Sequence, residues 1–226
     1  MRANALAVMA KAPLAGQVKT RLLPALSPEA AAEVARCLLV DQLQHLSGFP
    51  DADLYLAFAP AEERALMEPL APLRFRLFAQ QGADLGARMH NVFQTLHAKG
   101  YRNVVLIGGD LAPIPLAIFA EAFAVLEGSP RRVVLGPSRD GGYYLVGCND
   151  LVPEIFARMT WSHGEVLHQT LARLSALAIS TRLLPPAFDF DTVDDLRAFP
   201  SRLDPALAEQ AANTLRLIRR LGLCEG

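Results

Sequence analysis

The sequence predicts an α/β fold: one mostly parallel β-sheet with α-helices on both faces, in three layers. Apolar strand-like runs alternate with helical stretches over the first 136 residues, which is typical of βαβ connections. The most strand-like run, Asn103–Gly108, is apolar, as a central parallel strand should be. A turn at residues 140–142 joins two later runs and indicates an antiparallel addition. Because the chain contains no linker, repeat or low-complexity segment, we predict a single domain over residues 1–226.

Each predicted strand is a short run of mainly apolar residues bounded by turn residues or by a helical pattern. The first strand leads into a glycine-containing loop, and the fourth ends in Gly109-Asp110. In open α/β sheets, ligands bind beyond the carboxyl ends of the strands, so these exits are the places to look for a site. The predicted strands are residues 5–10, 53–59, 75–79, 103–108, 132–136, 143–148 and 179–184.

Each predicted helix combines apolar residues at helical spacing with a start or stop signal. Ser27-Pro28-Glu29 supplies a cap, a proline at the first helical position and an acid in the first turn. Gly100 and Gly128 end two later helices. The predicted helices are residues 27–46, 60–70, 85–100, 115–127, 162–174 (opening with a capping box), a short one that begins at 192–195, and 204–221.

Composition limits the class of protein. The net charge of −1 argues against a general nucleic-acid binder, and the hydrophobic content of 52% is enough for a sizeable core. The longest apolar stretch, residues 111–126, contains Glu121 and two prolines, so we expect a core element and no membrane span. Three cysteines without a C-x-x-C pair argue against a structural zinc site of the usual spacing and favour a reducing, cytoplasmic location. They are Cys37, Cys148 and Cys224.

The loop after the first strand is a candidate phosphate-binding site. Gly16 allows close approach of the backbone, and Lys11, Lys19 and Arg21 supply positive charge within eleven residues. The loop matches neither G-x-x-x-x-G-K-[ST] nor G-x-G-x-x-G. The alternative is a solvated basic loop between a strand and a helix.

Carboxylates near this loop suggest a divalent metal. Asp110 follows the central strand, and Mg²⁺ usually takes one or two carboxylates together with phosphate oxygens and water. Asp189 or Asp191 is a candidate second carboxylate, and their alternation would place both on one strand face. The alternative is that Asp110 caps a turn and that Asp191 or Thr192 caps the following helix.

Two further segments have both a functional and a structural interpretation. Asp140-Gly141-Gly142-Tyr143 suits a wall that touches a sugar or an acceptor, but hairpin-turn chemistry alone would explain its glycines. Arg88 falls near the start of a helix, where it would face a ligand or lie on the surface as an ordinary arginine.

Six motifs in order resemble one bacterial family, the radical-SAM/selenodomain-associated transferase 1 family. It is related to the GT-A glycosyltransferases and to the guanylyltransferases for molybdenum cofactor and 2-phospholactate. The resemblance covers nearly the whole chain, and the first and fourth motifs are the most specific. The motifs are K-A-P-L-A-G-Q-V-K-T-R-L, Q-G-A-D-L-G-A-R-M, the strand ending at Gly109-Asp110, L-G-P-S-R-D-G-G-Y-Y-L-V-G, the Trp161-Ser162 helix start and F-D-F-D-T-V-D-D-L.

The resemblance implies a GT-A-like, nucleotide-diphospho-sugar transferase fold with a nucleotide-binding half (1–110), an acceptor half (111–226) and Mg²⁺ or Mn²⁺. It implies these positions by motif: Lys11, Gly16, Lys19 and Arg21 at the diphosphate; Asp84, Gly86 and Arg88 near the nucleoside; Asp110 and Asp191 at the metal; Asp140, Gly141, Gly142 and Tyr143 on the acceptor side. On this basis we expect catalytic roles for Lys19, Arg21, Asp110 and Asp140.

The sequence departs from the family in one place. The family has Gly-Thr/Ser-Asp-x-Pro and then a polar residue after the metal strand, whereas this chain has Gly109-Asp110-Leu111-Ala112-Pro113. The carboxylate remains, but metal affinity or the acceptor loop would change. Our hypothesis is a metal-dependent transferase that takes a nucleotide-sugar donor and a small-molecule acceptor. The alternatives are a nucleotidyltransferase that uses a nucleoside triphosphate and a non-catalytic nucleotide-binding module.

Overall fold

A computed structural model of the chain describes residues 3–128, 131–161 and 163–223. Seven strands form one sheet in the order β3-β2-β1-β4-β6-β5-β7. Ser162 and Cys224, which the sequence analysis singled out, lie outside the described residues. The strands are β1 (Asn4–Lys11), β2 (Asp53–Ala59), β3 (Phe75–Ala79), β4 (Asn103–Gly108), β5 (Arg132–Pro137), β6 (Tyr143–Cys148) and β7 (Ser180–Leu183).

The sheet is parallel except at β6. The central strands β1 and β4 pair in parallel, and β1 also pairs in parallel with β2. Strand β6 runs antiparallel to both β4 and β5, because the turn at residues 138–142 reverses the chain directly after β5. This confirms the predicted antiparallel addition. Strands β1, β2, β3 and β4 therefore all end at the same edge of the sheet.

The described residues form seven α-helices: α1 (Pro28–Leu46), α2 (Arg64–Met67), α3 (Leu85–Ala98), α4 (Leu116–Leu126), α5 (Val166–Ala176), α6 (Val193–Arg202) and α7 (Ala212–Arg220). Two of the starts follow the sequence signals, since Ser27 caps α1 and Thr192 forms a capping box with Asp195 at α6. Helix α5 begins at Val166 without a side-chain cap, later than predicted. None of the helices within the described ranges is long and apolar enough to cross a membrane.

Three clusters of buried apolar side chains hold the helices against the sheet and against one another. On one face of the sheet, α1 and α4 contribute Leu43 and Phe119 to a core with β1, β2 and β4. On the other face, α3 and α5 contribute Phe93 and Leu174. A third cluster packs α6 and α7 against α1. The helix–sheet–helix arrangement confirms the predicted three-layer α/β class.

Two predicted helices were wrong in their extent. Residues 60–70 form a four-residue α2 flanked by the 3₁₀ turns Ala61–Glu63 and Glu68–Leu70. Pro69 lacks an N–H group, so it cannot continue the hydrogen-bonding pattern of an α-helix.

The helix predicted at residues 204–221 begins later, at Ala212, after a short 3₁₀ turn at Pro205–Leu207. Asp41 of α1, which is 1% exposed, explains the late start of α7. Its carboxylate accepts hydrogen bonds from the backbone N–H groups of Asn213 (3.2 Å) and Thr214 (2.8 Å). These groups lack partners within the first turn of a helix, so the contact fixes where α7 begins and ties it to α1.

Candidate functional site

A cleft of about 520 Å³ opens at the edge of the sheet where β1, β3 and β4 end. Its walls come from the loop after β1, the first turns of α3 and the start of β6. Clefts of this size and position hold small ligands in open α/β folds. Its polar and charged side chains are Lys11, Gln17, Lys19, Thr20, Arg21, Gln80, Arg88, Asp110, Tyr143, Tyr144 and Asp191.

Lys19 contacts two carboxylates that come from different parts of the chain. Its ammonium nitrogen lies 3.1 Å from Oδ2 of Asp110 and 3.0 Å from Oδ1 of Asp191. The side chain is only 4% exposed, and the backbone has a left-handed φ of 46°, which is uncommon for a residue with a side chain. The loop after β1 thus bends sharply to place one buried cation between two carboxylates.

The contacts at Lys19 shift the pKa values of Lys19 and Asp110. Burial lowers the pKa of Lys19, but the nearby Asp110 and Asp191 outweigh burial, so the pKa lies above its ordinary value. The charge of Lys19 holds the pKa of Asp110 below its ordinary value against the opposing effect of desolvation. Lys19 is therefore a cation and Asp110 an anion at neutral pH.

Further cations surround this centre. Arg21 Nη1 lies 3.1 Å from Oδ2 of Asp191 and is largely exposed. Arg88 donates from Nε to the carbonyl of Gly82, and within the part of the chain that the structure describes neither Arg88 nor Lys11 forms an ion pair. Four basic side chains face two carboxylates in the cleft, which favours an anionic ligand there.

Asp189 and Asp191 do not lie on one strand face, so that expectation was wrong. Residues 188–191 form no strand. Asp191 reaches Lys19, whereas Oδ2 of Asp189 is buried and has no hydrogen-bond partner among the residues that the structure describes. Burial, and then the charges of Asp140, Asp191 and Asp110, raise the pKa of Asp189 to about 7. The segment therefore places two acids at different depths beside the cleft.

The donor atoms at Lys19 suit a hard divalent cation. Asp110 and Asp191 each place one carboxylate oxygen about 3 Å from the same ammonium nitrogen, so both face the same point. Among the described residues, no group of three or more His, Cys, Asp or Glu side chains is arranged to hold a metal. Two carboxylates completed by phosphate oxygens and water are the usual site for Mg²⁺. The residues fit a metal that binds together with a nucleotide.

Removing the acid at Asp189 should change how stability depends on pH. Below about pH 4 the carboxyl is protonated in both the folded and unfolded states, because its ordinary pKa is 3.8. Between about pH 4 and 7 the unfolded state loses the proton and the folded state keeps it, so the folded protein loses stability as pH rises. Asp189→Asn is therefore expected to become more stable relative to the parent protein across this window and to keep that advantage above it.

Urea unfolding in EDTA between pH 4 and 8 measures this difference. EDTA is needed because a bound metal would change the charge near Asp140, Asp191 and Asp110, which face the carboxyl together with Lys19. An exposed acid gives the control, and Asp51→Asn should show no such trend. A stability difference for Asp189→Asn that stays constant with pH would show that the carboxyl titrates normally.

The turn after β5 is held by its own side chains. Oδ1 of Asp140 accepts hydrogen bonds from Ser138 Oγ and from the backbone N–H of Gly142 (2.9 Å). Gly141 has a φ of 88°, and a Cβ on it would lie 2.0 Å from the carbonyl oxygen of Gly164. Asp140, Gly141 and Gly142 do not line the cleft, whereas Tyr143 directly after them does. The structure supports the turn interpretation for the first three residues.

Gly141→Ala is expected to lower the free energy of unfolding by about 2–4 kcal/mol. Both the left-handed backbone and the contact with Gly164 oppose a side chain there, and the opposing atoms are backbone. Gly142→Ala is the matched control, since its Cβ would meet only the Asp140 and Ser138 side chains at 3.2 Å. Chemical denaturation compares the two variants, and equal losses would contradict this account of the turn.

Three other predicted site residues have local structural roles. Asp84 caps α3 by accepting the N–H of Ala87 at 2.8 Å. Gly86 is buried, and a Cβ there would lie 2.7 Å from both Trp161 and the Phe156 carbonyl. Gly16 has a φ of 76° with open space around it. None of the three lines the cleft. Asp84 thus has a capping role and Gly86 a packing role, and their position near the nucleoside stays a prediction.

Several cleft residues were not predicted from the sequence. Gln80 directly follows β3, and Leu85 is a leucine with 45% exposure at the start of α3. Tyr144 on β6 donates its hydroxyl to the carbonyl of Pro185. The position of Gln80 at the exit of a parallel strand was the available signal, because such exits converge on the ligand site.

The architecture and cleft define the class of fold, that of the nucleotide-diphospho-sugar transferases. The chain superimposes with a TM-score of 0.85 and 29% identity, over 100% of both chains, on a protein from Desulfovibrio desulfuricans G20 described as a candidate nucleotide-diphospho-sugar transferase. A cytidylyltransferase from Leptospira borgpetersenii matches with a TM-score of 0.61 and 12% identity over 98% of this chain and 94% of that one. Rv0371C from Mycobacterium tuberculosis, in complex with manganese, matches with a TM-score of 0.53 and 16% identity over 88% of this chain and 99% of that one.

The chain belongs to the family described as "Uncharacterized protein conserved in bacteria (DUF2064)", whose profile matches residues 42–163. A search of curated proteins found no match. The predicted fold class is thus confirmed. The two matches below 25% identity support the fold alone, whereas the Desulfovibrio protein resembles this chain along its whole length.

Proposed function

We propose that this protein is a Mg²⁺- or Mn²⁺-dependent transferase that takes a nucleotide-sugar donor and passes the sugar to a small-molecule acceptor. The observation that carries the proposal is the contact of Lys19 with both Asp110 and Asp191 at the exits of the central strands. A buried cation between two acids, in a cleft with further free cations, suits a pyrophosphate group and its metal.

Each charged side chain has a task in this scheme. Lys11, Arg21 and Arg88 attract and orient the donor diphosphate, and Lys19 neutralises charge that develops as it departs. Asp110 and Asp191 hold the metal, which when bound supplies further positive charge to the leaving diphosphate. The cleft fixes the donor so that the acceptor hydroxyl meets the reacting carbon in line.

Nucleotidyl transfer is the second candidate. Lys11, Lys19, Arg21 and Arg88 exceed the two carboxylates in number, and this excess also suits the larger charge of a triphosphate. In that case the acceptor attacks the α-phosphorus and pyrophosphate departs. The resemblance of the whole chain to the candidate nucleotide-diphospho-sugar transferase favours the sugar donor.

The proposal also covers the organisation of the chain, its group within the family and its location in the cell. We place the reaction in one domain, with residues 1–110 holding the nucleotide and 111–226 the acceptor. We also retain membership of the radical-SAM/selenodomain-associated transferase 1 group within the wider family, and a cytoplasmic location. Cys37 and Cys148 are buried free thiols, which suits a reducing compartment.

A ligand panel tests the donor class. Thermal shift and calorimetry with UDP-, GDP- and ADP-sugars, and with the four nucleoside triphosphates, are run with Mn²⁺ and with EDTA. Mn²⁺-dependent stabilisation by one nucleotide-sugar supports the proposal. Preferential binding of a triphosphate with pyrophosphate release would support nucleotidyl transfer. No binding of any nucleotide in the presence of Mn²⁺ would overturn both.

A further inference from the structure

Gln80 is held in the cleft by two carbonyl groups of the sheet. Its backbone N–H donates to Phe58 (2.7 Å), and its side-chain Nε2 donates to the carbonyls of Ala57 (2.7 Å) and Ala10 (3.2 Å). Because both side-chain partners are acceptors, the NH₂ group must face them. The amide is therefore fixed in one orientation, with both of its hydrogens used.

The remaining polar atom of the side chain is the acceptor Oε1. Gln80 is half-buried and lines the cleft, and within the described residues its Oε1 has no partner. Oε1 is not completely buried, and because Gln80 lines the cleft, this oxygen is open to a ligand there. A ligand that donates to Oε1 finds the group already oriented and orders no further side chain on binding.

Gln80 lies at the end of the cleft away from the acids. It bridges the ends of β1 and β2, whereas Asp110 follows β4 on the opposite side of β1. Leu85, which is 45% exposed, and Met89 line the cleft with it. An apolar wall that includes the exposed Leu85, together with one fixed acceptor, suits a flat heteroaromatic base, while the charged end of the cleft suits phosphate.

We propose that Oε1 of Gln80 accepts a hydrogen bond from an N–H group on the base of the nucleotide donor and so helps to select that base. The inference rests on the proposed function, because it requires a nucleotide in the cleft. Since the amide cannot turn its NH₂ group to the ligand without losing two hydrogen bonds, a base that presents only carbonyl oxygens at this point is disfavoured.

Calorimetry with matched nucleotides tests this assignment. We first find which of UDP, GDP, ADP and CDP binds best in the presence of Mn²⁺. That nucleotide is then compared with an analogue whose base lacks one N–H group. The analogues are N3-methyl-UDP, N1-methyl-GDP or inosine diphosphate, and the ADP or CDP analogue without its amino group. In the parent protein at least one analogue is expected to bind about tenfold more weakly. In Gln80→Met the same pair should differ less than about twofold, because the acceptor is gone.

The controls separate the hydrogen bond from general damage. Gln81→Met makes the same substitution at the exposed neighbouring residue and should discriminate between the nucleotides as the parent protein does. If circular dichroism shows that Gln80→Met does not fold, Gln80→Asn, which withdraws the oxygen by one methylene, takes its place. Equal discrimination in the Gln80 variant and the parent, or none in the parent, would overturn the assignment while leaving nucleotide binding intact. No binding of any nucleotide would instead overturn the proposed function.

Discussion

Asp110→Asn is expected to lower the affinity for Mn²⁺ by about 10- to 100-fold. The substitution keeps the shape of the side chain and removes its charge, so a metal held mainly by Asp110 and Asp191 loses one of its two anionic ligands. The gain in nucleotide affinity that Mn²⁺ gives the parent protein should largely disappear, and consumption of the donor should fall by at least about a hundredfold. Calorimetry and manganese electron paramagnetic resonance measure the first two effects without an acceptor.

The result separates a catalytic protein from a non-catalytic nucleotide-binding module. Asp110 is 60% exposed but pairs with the buried Lys19, so Asp110→Asn should lose some stability and still fold; the midpoint of thermal unfolding in EDTA shows whether it is folded at the assay temperature. Asp51→Asn, another exposed acid, should bind Mn²⁺ and nucleotide as the parent protein does. Unchanged Mn²⁺ binding in Asp110→Asn would refute the metal assignment. Lost Mn²⁺ binding in a protein whose parent consumes neither nucleotide-sugar nor triphosphate would favour the binding module.

The fold was predictable because its signals are local. Every strand of the described sheet except β7 is a short run of mainly apolar residues, and the turn at 140–142 carries at Gly141 the glycine that its backbone requires. The start of α7 was not predictable, since it depends on Asp41, which is 172 residues from Asn213 in the chain. No periodicity near residue 212 contains that information.

The charged centre of the site was also predictable, but only in part. Lys19 and Asp110 were expected together because each follows a strand that ends at the same edge of the sheet. Asp191 was one of two candidate second acids, and only the family resemblance favoured it over Asp189. The structure brings all three into contact. Gln80 was missed because its two carbonyl partners lie on β1 and β2, 70 and 23 residues away. Gly86 was placed near the nucleoside by motif resemblance alone, and the motif does not show that a Cβ on this glycine would meet Trp161.

Lys19→Met is expected to change metal and donor binding in opposite directions. In the protein without nucleotide, the ammonium group of Lys19 neutralises both Asp110 and Asp191, so it competes with a metal for the same oxygens. Without it, the affinity for Mn²⁺ alone should rise by about tenfold, and the affinity for a nucleoside diphosphate in EDTA should fall by about 10- to 100-fold. Consumption of the donor should also fall, because the charge on the departing diphosphate loses a buried partner.

The opposite signs make this variant more informative than a simple loss of activity. Arg21→Met is the matched control: Arg21 also contacts Asp191 but is 61% exposed against 4% for Lys19, so each effect should be smaller. Lys19→Met leaves Asp110 without its ion-pair partner and Asp191 with Arg21 alone, so the variant should also be less stable in EDTA. Added Mn²⁺ should restore much of that stability by taking the place of the ammonium group. If Mn²⁺ binds Lys19→Met more weakly than the parent protein, the carboxylates depend on Lys19 for their positions. In that case Lys19 positions the two metal ligands, and the prediction that it competes with the metal for their oxygens is wrong.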